Sequence, residues 1–338
     1  MNSLRTWLIL GGLLAVAAFE IVPSDARAQP APDVSAQSAS TLQTQGGGAV
    51  PISTASHSHQ LQPTSNSNGM SPERLRKLMR PLFNLGIQWQ AETDGVEISS
   101  YDARVTLPLF PICGPPPPMV SVGFEYTEWR APSHFDLPGE LYESSIGLSW
   151  MRKRNDRWMF RWMLGVANAT DGKNHSSDSW QFRGGGFALY RPNERWTWTF
   201  GAIALGRNDI PVVPAIGLIY QPNPDVRFDL AFPRPRASLL LVDDGCRQQW
   251  AYVGAGLDGG TWGYERANGT NDQVTYRDWR FVLGWESTPR LEPGMPFAIG
   301  RKFGAEIGYA FGRQFEFESE LPDISIGDTV MFRAIASF

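Results

Sequence analysis

From Pro81 to Phe338 the chain alternates between apolar and polar residues in runs of about eight to twelve. Phe83, Leu85, Ile87 and Trp89 alternate with Asn84, Gly86, Gln88 and Gln90. Val120, Val122, Phe124 and Tyr126 alternate with Ser121, Gly123, Glu125 and Thr127, and Trp158 to Val166, Trp279 to Trp285 and Phe303 to Phe311 repeat the pattern. A period of two puts successive side chains on opposite faces of a strand. Gly, Pro, Asn and Asp separate the runs. No segment after residue 81 carries a convincing 3.6-residue period, so 81–338 is predicted to be all-β.

The connections sharpen this. Those at 152–156, 191–194 and 221–225 are tight, and those at 130–140, 167–178, 258–273 and 313–328 are longer and polar. The 288–300 segment is long on the short side. Short turns at one end and long loops at the other predict a transmembrane antiparallel up-and-down β-barrel. The expected count is about 14 strands, with 12 as the alternative. The least regular stretches are the Pro-rich 211–225 and 228–241.

The two strand faces differ in a way that supports the same architecture. One carries full charges: Arg104, Glu125, Glu143, Arg161, Arg183, Arg227, Asp229, Asp278, Arg280, Glu306 and Arg333. A dry sandwich core would not hold these, so they are the lumen-facing candidates. The other face is apolar and is expected to meet lipid. Thirteen Trp among 338 residues suit two interfacial girdles. Trp150, Trp158, Tyr190, Trp196, Trp198, Tyr220, Trp250 and Trp285 flank short turns, and Trp89, Trp129, Trp180 and Tyr276 lie near long loops. The last run, "DTVMFRAIASF", puts Phe332, Ala334, Ala336 and Phe338 on one face. Such an ending resembles the C-terminal signal that the barrel-assembly machinery reads in bacterial outer-membrane proteins.

Ahead of the barrel, Arg5, the apolar run Trp7–Phe19 and "ARA" at 26–28 predict a cleaved signal peptide over 1–28. The Gln-, Ser-, Thr- and Pro-rich 29–70 segment is expected to be a disordered linker, and "SPERLRKLMR" at 71–80 a short helix. A net charge of −4 argues against a nucleic-acid partner. The expected partners are outer-membrane lipid, the assembly machinery and small solutes.

Within 190–238, "DIPVVPAIGLIYQPN" and "DLAFPRPRAS" resemble a family of uncharacterised bacterial outer-membrane β-barrels, a domain of unknown function. That resemblance implies the fold and the location. The family carries no assigned activity, so it implies no catalytic residues.

Candidate chemistry is sparse. "GAGLDG" at 254–259 matches G-x-G-x-x-G, but no helix follows, and the phosphate-cradling geometry needs one. Small residues that let neighbours pack are the better account. Ser133, His134 and Asp136 offer the residue types of a rim hydrolase, against a solvated loop histidine. Cys113 and Cys246 fall on turns of the same end and are the candidates for a disulfide. Glu316, Glu318, Glu320, Asp323 and Asp328 form an acidic loop, able to bind Ca²⁺ or simply solvated. No cofactor or metal site is expected, and no enzyme. In a narrow barrel the inner charges would pair and close the lumen; in a wide one they would line a path. The leading functional expectation is a porin-like pore for small solutes. The alternatives are a closed structural or adhesive barrel acting through its external loops, a rim lipid hydrolase, and a soluble secreted sandwich.

Overall fold

The computed structural model describes Arg76 and residues 79–109, 116–206, 211–290, 300–319 and 321–338. The leader at 1–28, the linker at 29–70 and most of the helix at 71–80 lie outside the described residues; Arg76 itself is helical.

The alternating runs become strands β1 (Leu82–Thr93), β2 (Val96–Pro108), β3 (Met119–Arg130), β4 (Glu140–Lys153) and β5 (Trp158–Thr170). Next come β6 (Trp180–Tyr190), β7 (Trp196–Ala204), β8 (Val212–Pro214), β9 (Gly217–Asn223), β10 (Val226–Asp229) and β11 (Arg236–Asp243). The chain ends with β12 (Arg247–Glu265), β13 (Asn271–Pro289), β14 (Lys302–Phe317), β15 (Ile324–Ile326) and β16 (Thr329–Ser337). Each of the longer strands pairs antiparallel with its neighbours, and β16 pairs with β1 from Asn84↔Ser337 to Gln90↔Met331. The sheet therefore closes into a ring of 14 strands. The three-residue β8 continues the path of β9 along β7, and β15 pairs with the end of β14. Closure leaves no sheet edge, which is what a sheet in hydrocarbon requires.

Side chains divide as the period demands. Phe182 is 75% exposed, Leu164 65% and Ile146 63%, whereas Arg183, Met163 and Glu143 on the opposite face are buried. So broad an apolar exterior around a closed ring is a lipid-facing belt, and the fold is a transmembrane β-barrel of outer-membrane type. Phe332, Ala334 and Ala336 sit in register beside Trp89, Ile87 and Leu85 at the seam, and the backbone of Phe338 bonds to Phe83 in both directions.

The start of β1 and the end of β16 share one end of the barrel, here the terminal end, with the turns after β4, β6, β9 and β11. Four of its turns use one device. Asn155, Asn193, Asn223 and Asp244 each accept, through Oδ1, the backbone N–H groups two and three residues ahead, at 2.5–3.1 Å. The side chain thereby satisfies donors that a tight turn leaves without a strand partner. Beside two of these turns Trp158 packs at a tilt on Tyr190 and Trp196 stacks on Tyr220, at 4.7 and 4.1 Å between centroids.

Some expected features fall differently. Residues 258–265 and 271–273 are not loop: β12 and β13 are 19 residues each, and only 266–270 connects them. Trp129, Tyr276 and Trp250 do not join the girdles; they are 2–3% exposed and share the inward parity of Thr127, Asp278 and Gln248. In the irregular Pro-rich stretch β10 has four residues, so the wall is at its lowest between β9 and β12.

Candidate functional site

The inner face and the mouth opposite the terminal end form the site. At Gly259 the backbone takes φ +127°, and a Cβ there would lie 2.0 Å from the Tyr276 carbonyl oxygen. Only glycine fits so close an approach. Beyond this bend the β12–β13 hairpin leaves the wall. Its Gly263 pairs in parallel with Thr170 of β5, and Asp171 N–H donates to the Gly263 carbonyl at 3.1 Å. Five strands of the ring (β6, β7, β9, β10 and β11) separate β5 from β12. The hairpin therefore crosses the mouth.

An apolar cluster seals the crossing. Trp129 meets Trp262 edge-on at 5.3 Å and Phe315 at 4.9 Å, with Tyr276, Val96, Ile98 and Leu141 packed around them. Phe315 reaches this cluster because Gly312, at φ +58°, adds a bulge that reverses the parity of β14. Polar bonds tie the tip to the surrounding loops. Arg266 donates to Asp136, Gln181 Nε2 to the Thr261 carbonyl at 2.5 Å, Asn174 to the Tyr264 carbonyl, and Ser319 to Asp272.

Beneath the cluster lies a charged layer. Arg280 forks onto Asp278 at 2.7 and 2.9 Å, donates to Gln88 of β1 at 2.7 Å, and touches Asp258. Tyr276 donates to Asp278 at 2.8 Å and accepts from Arg313 at 3.0 Å, while Gln90 donates to Asp278 at 3.1 Å. Across the ring Arg183 forks onto Glu143 at 2.7 and 2.9 Å and also bonds Gln181. Asp102, Glu125 and Glu143 stand side by side on β2, β3 and β4, with Arg104 beside Gly123. Fork-on-carboxylate pairs of this kind are strong and geometrically specific.

Toward the terminal end Arg227 pairs with Asp229 at 3.5 Å, Arg333 with Glu306 at 3.6 Å, and Arg234 with Asp258 at 2.8 Å. Arg236 forks onto Glu286 at 2.5 and 3.3 Å. On the wall formed by β5 to β8, Met163, Phe187, Leu189, Ile203 and Val213 make a second inner apolar cluster, packed with Met159. Arg161 lies between Met159 and Met163 on the same strand face, and its Nη1 has no hydrogen-bond partner among the described residues.

Glu143, Arg183, Arg227, Asp229, Asp278, Arg280 and Arg333 are thus buried, and Arg104, Glu125, Arg161 and Glu306 partly so. Gln88, Gln90, Asp258, Glu286, Arg234, Arg236 and Arg313 complete the network and were not singled out from the sequence. All but Arg234 and Arg313 have inward parity counted along their strands, and that parity was the available signal; Arg313 turns inward only beyond the bulge at Gly312.

The other candidate chemistries resolve differently. Ser133–Phe135 is a single 3-10 turn in which His134 meets Phe135 edge-on, while Asp136 accepts from Arg266 and the Ala267 N–H. These contacts do not assemble a triad. Gly254 and Gly256 lie in β12, with no helix after them. Of the acidic loop, Glu316 pairs with Arg277 at 2.8 Å, Asp323 accepts from Gln314, and Asp328 accepts from the Gly312 N–H; Glu320 lies outside the described residues. Among the described residues no group of three His, Cys, Asp or Glu is placed to hold a metal. Cys246 is exposed in its turn, and Cys113 lies outside the described residues.

A family profile described as a domain of unknown function, DUF6268, matches residues 119–320, more than half of the chain. The protein belongs to the DUF6268 family. The stretches 209–223 and 229–238, which carry the resemblance read from the sequence, lie inside the match. No curated protein matches this DUF6268 chain. Solved structures similar to it include a bacterial polysaccharide outer membrane secretin, with TM-score 0.38 and 11% identity over 77% of this chain and 98% of that one. Another is the NanC porin, with TM-score 0.34 and 8% identity over 76% of this chain and 98% of that one. A third is an outer membrane channel from Pseudomonas putida F1, with TM-score 0.34 and 11% identity over 76% and 94%.

Proposed function

We propose that this DUF6268 protein is a gated, porin-like channel of the bacterial outer membrane for small polar solutes. The carrying observation is an inner face that is charged from the terminal end up to the mouth, where the closing element is one crossing hairpin. Polar, charge-lined interiors occur in barrels that conduct, and a discrete lid is what a regulated path needs. The leader at 1–28 exports the chain, 29–70 tethers it, and Phe332, Ala334, Ala336 and Phe338 address it to the assembly machinery. The terminal end then faces the periplasm and the hairpin the cell exterior. This reading assigns no catalytic residue.

The test is conductance of the refolded chain from Gln29 in a planar bilayer, beside a variant in which 261–275 is replaced by a short Gly-Ser link. Wild type should be mostly silent with rare openings, and the variant steadily conducting. Silence of both, with the barrel intact by its heat-modifiable gel mobility, would overturn the channel. It would favour the second reading, a closed barrel acting through its external loops. The bonds that bind 131–139, 171–179 and the hairpin tip into one cap support that reading.

A further inference from the structure

Inside the barrel, toward the terminal end, residues of β10 to β14 and β16 line a cavity of about 90 Å³. It extends down to Lys302 and Ser337, which pair on the lowest rungs of β14 and β16. Roughly 10–15 Å³ of such space holds one water, so the cavity has room for a small multi-atom ligand. Three glycines, Gly254, Gly256 and Gly304, help to line it. A Cβ on Gly256 would stand 2.7 Å from Cγ of Arg234. That glycine admits Arg234, which comes from the low Pro-rich turn between β10 and β11.

The lining is unequally charged. Five cations face the space, Arg234, Arg236, Arg280, Lys302 and Arg333, against three carboxylates. Two of the carboxylates serve two neighbours each. Glu286 is shared by Arg236 at 2.5 Å and Lys302 at 3.8 Å, and Glu306 takes the Tyr252 hydroxyl at 2.7 Å and Arg333 at 3.6 Å. Asp258 and Asp278, behind the lining, engage Arg234 and Arg280 from the mouth side. Arg236 also lies over the Tyr252 ring, with Cζ 3.9 Å from its centroid. The cations are therefore held in place, and several converge on one space.

We infer that this cavity is a binding site for a small oxyanion, a carboxylate or phosphate group on a compact solute. Positioned guanidinium groups recognise both through charge-assisted hydrogen bonds, and here several converge on one partly enclosed space. The inference deepens the channel reading by naming the class of solute, but binding does not require conduction. It is tested by calorimetric titration of the refolded barrel in detergent with inorganic phosphate, with glucuronate, and with neutral glucose. Saturable binding of phosphate or glucuronate, with none for glucose, is the expected result. Which of the two binds more tightly distinguishes a phosphate source from a carboxylate source. Lys302→Gln and Arg333→Gln together should weaken binding at least tenfold with heat-modifiable mobility unchanged, and Lys302→Gln alone serves if the pair does not fold. Absence of anion binding in the wild type, equal binding of glucose, or undiminished binding in the folded variants would overturn the inference. A silent barrel that binds phosphate would refute conduction alone, and a conducting barrel that binds neither anion would refute this site alone.

Discussion

Trp262 offers the sharpest lever on the lid. Its side chain is 3% exposed and packs edge-on against Trp129, which also meets Phe315. Replacing a buried Trp by Ala typically costs about 3–5 kcal/mol, and an aromatic pair adds roughly 1 kcal/mol to area burial. Trp262 lies on the crossing part of the hairpin, so the loss falls on closure and not on the wall. If opening withdraws the hairpin, at least about 3 kcal/mol of the closed state's advantage disappears. At about 1.4 kcal/mol per tenfold, the open-to-closed ratio of Trp262→Ala rises by roughly a hundredfold. The assay is single-channel open probability in a planar bilayer, read beside the heat-modifiable gel shift that reports the barrel. A hundredfold rise with the gel shift retained is the expected outcome. Unchanged open probability in a folded barrel would mean that the apolar cluster does not hold the path closed. Loss of the gel shift would mean that the cluster supports the wall itself, and the division into wall and lid would fail.

Three further outcomes are expected. Gly259→Val puts a Cβ against the Tyr276 carbonyl at a backbone angle that β-branched residues avoid, so the hairpin should lift; trypsin cleavage after Arg266 should accelerate, and an unchanged rate would refute the bend's role. Arg161→Gln removes an inner-face cation placed between Met159 and Met163, so the reversal potential under a salt gradient should move toward cation preference in the hairpin-trimmed channel; an unmoved potential would exclude Arg161 from the path. Backbone N–H groups of Arg247 and Cys246 hold the Asp244 carboxyl below its ordinary value. A depressed carboxyl contributes stability that is present above its unfolded value, near 4, and lost as pH falls through the folded one. Asp244→Asn, which keeps the acceptor and loses the charge, should therefore flatten the acid side of a urea-unfolding profile by lowering stability at neutral pH and leaving the most acid point little changed.

The wall was legible because most of its strands obey one rule. Alternation separates Leu164 from Met163 and Phe182 from Arg183 without knowledge of the fold, and 14 such runs close the ring. The turns were legible too, although the spacing alone did not announce it. "YRPNERW" at 190–196 and "YQPNPDV" at 220–226 repeat a Tyr-x-Pro-Asn whose Asn accepts from the N–H groups two and three residues ahead and whose Tyr packs on a Trp. The lid was not legible. Residues 258–273 read as a polar loop, yet every residue from Gly256 to Tyr264 is buried.

Aromatic residues near loops were read as interfacial anchors, and for Trp89 and Trp180, which are exposed, that position is compatible with the reading. Trp129 and Tyr276 have the same neighbourhood in sequence and the opposite parity. An aromatic on the outward parity meets lipid, and one on the inward parity of a 14-stranded ring must fill the lumen or face water. Phe315 shows why parity counted along the chain is still not enough, since the bulge at Gly312 inverts it midway along β14. The closed mouth depends on two glycines, Gly259 and Gly312, each invisible to hydrophobic periodicity. One turns a hairpin out of the wall, and the other turns Phe315 in to meet it. A chain with the same alternation and bulkier residues at these two positions should build the same ring and leave its mouth open.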